Sequence, residues 1–186
     1  PDTVQQKATG IRTQCEKLRS LIDDLNLTSK LEYGAQPLRK QTFTVGPLFR
    51  ELVAQFYDSP LAETCEILLN QTDAAEHAQI SVDHALLSRL LENLLNNSIR
   101  HNSGTVKICV STEIKEDFLC LTVTDNGKGY PPEVLTALNL QETNENTPHI
   151  LGLHVVEQIA AAHGGRSVFE QNYPSGARTC VWLPLK

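Results

Sequence analysis

Between Asp83 and His101 the residues Leu87, Leu90, Leu91, Leu94, Leu95 and Ser98 recur at steps of one, three and four. In a helix that spacing makes one continuous apolar stripe, which has to be covered by a second layer of structure. Asn93, Asn97 and Arg100 are spaced four and three apart and fall on the face opposite the leucines. Neutral amide oxygens beside a guanidinium suit a hard cation that arrives already carrying phosphates, because Mg²⁺ keeps several waters and takes few protein ligands. The same asparagines also suit a plain solvated helix face, since the residue is common on surfaces although a poor helix former.

The segments around this helix indicate what covers it. Thr42 to Val45 reads as a short strand, and Pro47 to Tyr57 as a helix with Pro47 in its first turn. Cys65 to Leu69 and Gln79 to Val82 read as further strands. Val106 to Ile114 and Phe118 to Thr124 are β-rich runs on either side of the charged turn Lys115-Glu116-Asp117, which predicts a hairpin. Tyr130 to Leu151 carries two prolines and several Asn and Thr residues, and reads as a mobile loop with a short helical stretch near Glu133 to Leu138. Leu153 to His163 is a helix stopped by Gly164-Gly165. Ser167 to Gln171 and Arg178 to Leu183 form a last hairpin around Pro174-Ser175-Gly176. Interspersed helices and antiparallel strand pairs predict an α+β fold, with a mixed, mostly antiparallel sheet covered on one face by helices.

A long helix precedes this unit. Ile11, Cys15, Leu18, Ile22 and Leu25 follow 4-3-4-3 spacing, which places them on one seam that calls for a partner. Gly34 and Pro37 punctuate its end, so a boundary falls between Tyr33 and Gln41. An amphipathic helix packed on its own domain would show the same pattern, since two heptads are weak evidence of a coiled coil.

Two more groups of residues carry chemistry. In Val123-Thr124-Asp125-Asn126-Gly127-Lys128-Gly129-Tyr130-Pro131, Asp125 continues the parity of Leu119, Leu121 and Val123, so its carboxylate emerges on the buried side of a strand and needs a donor. The exocyclic amine of a purine would supply one, and Gly127 and Gly129 would let the backbone approach a flat ring. The alternative is an Asn-Gly turn between two elements. In His149-Ile150-Leu151-Gly152-Leu153-His154 a loop enters a helix, where backbone N–H groups can face phosphate oxygens. His149 and His154 have no metal-ligand spacing with the cysteines and read as ordinary loop and helix residues.

Composition narrows the alternatives. In 186 residues, 40% hydrophobic and 20% charged, there is enough apolar material for one domain with a substantial core plus an accessory element. A net charge of -6 argues against a nucleic-acid surface. The five cysteines are scattered without zinc or redox spacing and read as reduced core residues of a cytosolic protein. No apolar run approaches the roughly 20 residues needed to cross a bilayer. A start at Pro1-Asp2 and the lack of any methionine read as a piece of something longer.

In order and spacing the three motifs resemble the N, G1 and G2 boxes of histidine kinases, members of the superfamily that includes gyrase, Hsp90 and the mismatch-repair ATPases. Asp23 to Tyr33, followed by Gln36-Pro37-Leu38, looks like the end of the second dimerisation helix and its linker in bacterial sensor kinases. Ala161-Ala162-His163-Gly164-Gly165 and the closing Gly176 to Pro184 are also similar to that family. The resemblance implies a two-layer α/β sandwich of the Bergerat type. It divides the chain into the second stalk helix (1–33), a linker (34–41) and an ATP-binding catalytic domain (42–186).

It also implies roles, position by position. Asn97 matches the Mg²⁺-binding asparagine, with Asn93 a helper; Arg100 matches the basic residue near the phosphates and His101 the neighbour often found by the nucleotide. Asp125 matches the adenine-reading aspartate, Gly127 and Gly129 the G1 glycines followed by Tyr130, and Gly152 with Leu153 the last pair of the G2 box. ATP and Mg²⁺ are the implied cofactors. The implied partners are the receiver domain of a response regulator and a second copy joined through the complete stalk, in a parent membrane sensor whose cytoplasmic portion contains this chain.

Three departures stand out. Pro148 and Ile150 replace small residues of the G2 box, there is no Phe between Phe118 and Phe169, and no histidine has the phosphoacceptor context of a first stalk helix. His77, His84, His101, His149, His154 and His163 all lie in the globular part. The expected chemistry is transfer of the γ-phosphoryl group of ATP to a stalk histidine absent from this chain, which depends on positioning and charge neutralisation. Superfamily members that hydrolyse ATP usually carry a glutamate where Asn93 stands, and Glu92 is about 100° of helix away from that face. The alternatives are an ATPase of the gyrase or Hsp90 kind, and a nucleotide-sensing or interaction module without transfer.

Overall fold

A computed structural model describes residues 2–100, 102, 104–140 and 151–185. Helix α1 (Asp2–Glu32) ends where Gly34 takes φ +64°, and the N–H groups of Ala35 and Gln36 turn back to donate to Lys30 O at 2.8 and 3.1 Å. That is a glycine C-cap satisfying a terminal carbonyl. Strand β1 (Gln41–Thr44) follows, then α2 (Val45–Phe56), a short 3-10 turn (Pro60–Thr64), β2 (Cys65–Gln71), α3 (Asp73–His77) and β3 (Gln79–Val82). Helix α4 (His84–Arg100) carries the leucine stripe, and Asp83 caps it by accepting the Leu86 N–H at 3.3 Å. After it come β4 (Val106–Lys115), β5 (Phe118–Asp125), α5 (Pro132–Leu140), α6 (Leu151–Ala162), β6 (Arg166–Gln171) and β7 (Ala177–Pro184).

The main sheet has the order β2-β4-β5-β7-β6, parallel between β2 and β4 and antiparallel elsewhere, while β1 and β3 pair antiparallel as a separate ribbon. The core lies between this sheet and one layer of helices. Leu87, Leu90, Leu91, Leu94 and Leu95 of α4 are at most 2% exposed, and they meet Ile108, Val110, Leu119, Leu121 and Val123 from the inner faces of β4 and β5. Truncating any one of these leucines to alanine should cost about 2–5 kcal/mol, since the close-packed surroundings collapse only partly into the space left.

Two contacts orient the helices that frame the site. His163, just past α6, is 3% exposed; its Nδ1–H donates to Ile159 O at 2.8 Å and its Nε2 accepts the Asp83 N–H at 3.0 Å. The C-terminus of α6 is thereby tied to the N-terminus of α4. The later part of α1 packs on the domain through Asp24 and Thr28, both buried, and through the half-buried Leu27 and Leu31. The seam of Ile11, Leu18, Ile22 and Leu25 is not used in this packing, its members being 59–66% exposed.

Candidate functional site

At the C-terminal end of β5 the strand parity delivers Asp125 to the helix-covered side, where it is 4% exposed. Its Oδ1 accepts the N–H of Gly127 at 2.8 Å and of Ala177 at 3.1 Å, with a longer contact to Asn102 Nδ2 at 3.5 Å. Donors concentrated on one oxygen hold the plane of the group fixed, and none of the hydrogen bonds among the described residues falls on Oδ2. The turn that follows is pinned from both sides. Asn102 Oδ1 accepts the Lys128 N–H at 3.0 Å, and Asn172 Nδ2 donates to Asp125 O at 3.0 Å. A Cβ on Gly127 would overlap the Asn102 side chain, so close approach, rather than turn geometry alone, calls for glycine there.

Asp125 opens onto an apolar-walled cavity of about 170 Å³. Asn97, Gly129, Tyr130 and Leu153, all expected from the sequence, line it together with Asn102 and Val134. The volume is below the roughly 300–1,000 Å³ typical of sites for whole ligands, and suits a flat ring held by one end. Tyr130 contributes its ring as a wall. Its hydroxyl is bonded to Thr179 Oγ1 at 2.5 Å and its pKa is pushed up to about 12, chiefly by burial and partly offset by that hydrogen bond.

The other expected residues lie beside this cavity. Asn93 donates from Nδ2 to Arg89 O at 2.9 Å, and its Oδ1 faces the start of α6, where a Cβ on Gly152 would come within 2.9 Å of it. The first motif therefore meets the third, with the Asn93 side chain against the Gly152 backbone. Asn93 also lines a polar cleft of about 470 Å³ between α1 and α4, with Arg19, Asp23, Glu92 and Asn96. Across this cleft Arg89 donates from Nε and Nη2 to Asp24 Oδ1 at 3.1 and 2.7 Å. Arg100 is exposed in the last turn of α4. His101 and residues 141–150, the later part of the expected loop, fall outside the described residues.

Among the described residues no group of three His, Cys, Asp or Glu side chains is placed to hold a metal ion. A cation here would rest on an amide oxygen such as that of Asn97 and on oxygens carried in by its ligand, which is chemistry Mg²⁺ accepts. Sequence reasoning missed Asn102, Asn172 and Ala177. Asn102 alone left a signal, as a polar residue just past a helix end, and it does close that end by donating from Nδ2 to Ser98 O at 2.7 Å.

The family described as histidine kinase-, DNA gyrase B-, and HSP90-like ATPase matches residues 82–186. Sensor histidine kinase YvrG of Bacillus subtilis (strain 168) is 31% identical over 173 residues, covering 89% of this chain and 29% of that protein. The chain thus spans about three tenths of the length of that relative. A structure of full-length ShkA in complex with AMPPNP superposes with a TM-score of 0.76 at 21% identity, over 97% of this chain and 38% of that one. The histidine kinase ThkA, solved in complex with response regulator protein TrrA, gives a TM-score of 0.78 at 20% identity, over 100% of this chain and 52% of that one.

Proposed function

The chain belongs to the histidine kinase-, DNA gyrase B-, and HSP90-like ATPase family, and from that premise we propose that it is the ATP-binding catalytic part of a sensor histidine kinase. The observation that carries the reading is Asp125: a buried carboxylate fixed through one oxygen, at the end of a cavity sized for a flat ring, with Asn97 and Leu153 on its rim. Oδ2 accepts the exocyclic amine of adenine, and a keto group in that place would meet an acceptor with no proton to offer, which selects adenine over guanine. The ribose and phosphates leave the cavity toward the start of α6, where Asn93, Asn97 and Gly152 come together.

Mg²⁺, when bound, neutralises charge on the phosphates and aligns them. Asn97 would supply an amide oxygen to it, with Asn93 as helper, and Arg100, in the last turn of α4, would serve the phosphate end. Gly129 and Tyr130 form the wall against the ring, Gly127 holds the Asp125 carboxylate behind it, and Gly152 with Leu153 is the edge from which α6 N–H groups face the phosphates. The γ-phosphoryl group passes to a histidine on a stalk helix outside this chain and then to the receiver domain of a response regulator. In this reading residues 1–33 are the second stalk helix, 34–41 the linker and 42–186 the catalytic domain. The exposed seam from Ile11 to Leu25 joins a second copy in the complete stalk, on the cytoplasmic side of a membrane sensor.

Calorimetry with ATP and with adenosine, each with and without Mg²⁺, tests the binding mode. Asn97→Ala should remove most of the Mg²⁺ dependence of ATP binding and leave adenosine affinity nearly unchanged, since the metal touches only the phosphate end. Equal losses for ATP and adenosine would remove Asn97 from the metal site.

A further inference from the structure

An α-helix ends on carbonyls that have no partner inside the helix, and a polar residue just past the end can turn back to them. Asn102 does so twice: its backbone N–H donates to Ile99 O at 3.3 Å and its Nδ2 to Ser98 O at 2.7 Å. The side chain is thereby fixed as a rigid extension of α4. Its remaining capacity is directed at a different segment. Oδ1 accepts the Lys128 N–H at 3.0 Å, and Nδ2 lies 3.5 Å from Asp125 Oδ1. An amide has two donor hydrogens and an acceptor oxygen, so one planar group can hold α4 and the turn after β5 at the same time.

The contact is close as well as bonded. A Cβ on Gly127 would overlap the Oδ1, Cγ and Nδ2 atoms of Asn102, so the flat amide lies against the glycine backbone. Other contacts tie the turn to the sheet. Asn126 donates its N–H to Lys107 O at 3.2 Å and accepts the Lys107 N–H on Oδ1 at 3.0 Å, while Asn172, just past β6, holds Asp125 O. Among the described residues, every hydrogen bond between the end of α4 and this turn passes through Asn102.

Asn97 and Asp125 line the same cavity, one from α4 and the other from the end of β5. A ligand that engages both depends on their separation, and a misplacement on the order of 1 Å is enough to lose much of the benefit of holding it at two points. We propose, on the nucleotide reading above, that Asn102 is a positioning residue: it sets Asp125 and Asn97 at the spacing of one adenine nucleotide with its Mg²⁺. It acts through the Gly127-Lys128 turn on one side and through the carbonyl of Ser98, the residue next to Asn97, on the other. Loss of this bridge therefore harms a ligand that engages both ends more than one that engages the ring alone.

The test is calorimetry of the intact chain with adenosine and with ATP plus Mg²⁺, together with amide exchange at Lys128 in the absence of ligand. Asn102→Ala should weaken adenosine by about tenfold or less and ATP with Mg²⁺ by several times more, and the Lys128 amide should exchange faster. Asn102→Asp keeps the shape and the acceptor for Lys128, but it has no donor for Ser98 O and sets a second carboxylate beside Asp125. It should lose the same advantage of ATP over adenosine while the Lys128 amide stays protected, which a residue that merely fills space would not show. Gly127→Ala pushes the amide aside from the opposite direction, so its loss and that of Asn102→Ala should not add in the double variant. An unchanged ratio of ATP to adenosine affinity in Asn102→Ala, wild-type binding by Asn102→Asp, or additive losses would overturn the bridge and leave the nucleotide reading in place. A wild type that binds neither ligand would overturn both.

Discussion

In the proposed site Asp125 is the residue that reads the ring, and it is held in place by groups on three separate segments. Gly127 fixes it locally, Ala177 from β7 and Asn102 from the end of α4. Asp125→Asn keeps the shape but places an amide where a carboxylate accepted two backbone N–H groups, and it weakens the acceptor offered to the adenine amine. It should reduce the affinity for ATP and for adenosine alike by about 1–3 kcal/mol, which calorimetry reads directly; unchanged affinity would remove Asp125 from the site. The burial of Asp125 was legible in the sequence because strand parity alone sends its side chain inward. Ala177 left no signal, since its part is played by a backbone N–H from a segment 52 positions away, and Asn102 showed only as a helix end and not as a partner of this carboxylate.

Elements with strong periodicity could be read ahead of the structure, while their pairings could not. The α4 leucines and the β4–β5 hairpin follow from local pattern, and both stand where expected. The parallel pairing of β2 with β4 links strands separated by two helices, and no local signal encodes such a contact. The junction of α6 with α4 was equally hidden, because His163 looked like part of a helix stop and works as a bridge.

That bridge has a pH signature. Burial lowers the His163 pKa below the ordinary value of about 6.5, and its neutral Nε2 is an acceptor that protonation destroys. The unfolded chain therefore binds the proton more readily than the folded one. The contribution is complete above about pH 6.5 and is lost as pH falls below it. Half-buried His154 has the opposite sign, its pKa raised by Glu157, so the His163 effect is isolated by substitution. His163→Gln offers an amide in place of the imidazole and does not titrate. Urea denaturation from pH 7.5 to 5 should show the wild type losing stability relative to this variant below about pH 6.5; parallel curves would mean that His163 is not the titrating group.

In the whole molecule the main question is how α1 meets the domain that begins at β1. The apolar seam drew attention in the sequence, yet the face that packs is the one bearing Asp24, Leu27, Thr28 and Leu31. Asp24 is a polar residue whose burial depends on Arg89, 65 positions along the chain, so its sequence context gave no sign of it. Arg89 also carries the carbonyl that accepts from Asn93, which places the contact between α1 and α4 one helical turn from the proposed phosphate end. Asp24→Ala should cost about 1–3 kcal/mol, between the values for exposed and fully buried ion pairs, because it leaves a half-buried guanidinium without its partner. Limited proteolysis should then cut α1 faster while the domain from β1 onward stays resistant, and equal protection of α1 in both proteins would make the pair incidental.

The kinase reading is tested by incubating the chain with labelled ATP and Mg²⁺, alone and together with a polypeptide carrying the complete two-helix stalk of the parent protein. Alone, the chain should bind ATP and acquire no acid-labile, alkali-stable phosphohistidine, because none of its six histidines falls within α1, the first of them being His77. With the stalk added, label should appear on the stalk histidine, and it should be lost when Asp125→Asn is used at an ATP concentration below its weakened affinity. Label on this chain alone, or tight ATP binding with no transfer to a competent stalk, would show that the site binds nucleotide for another purpose.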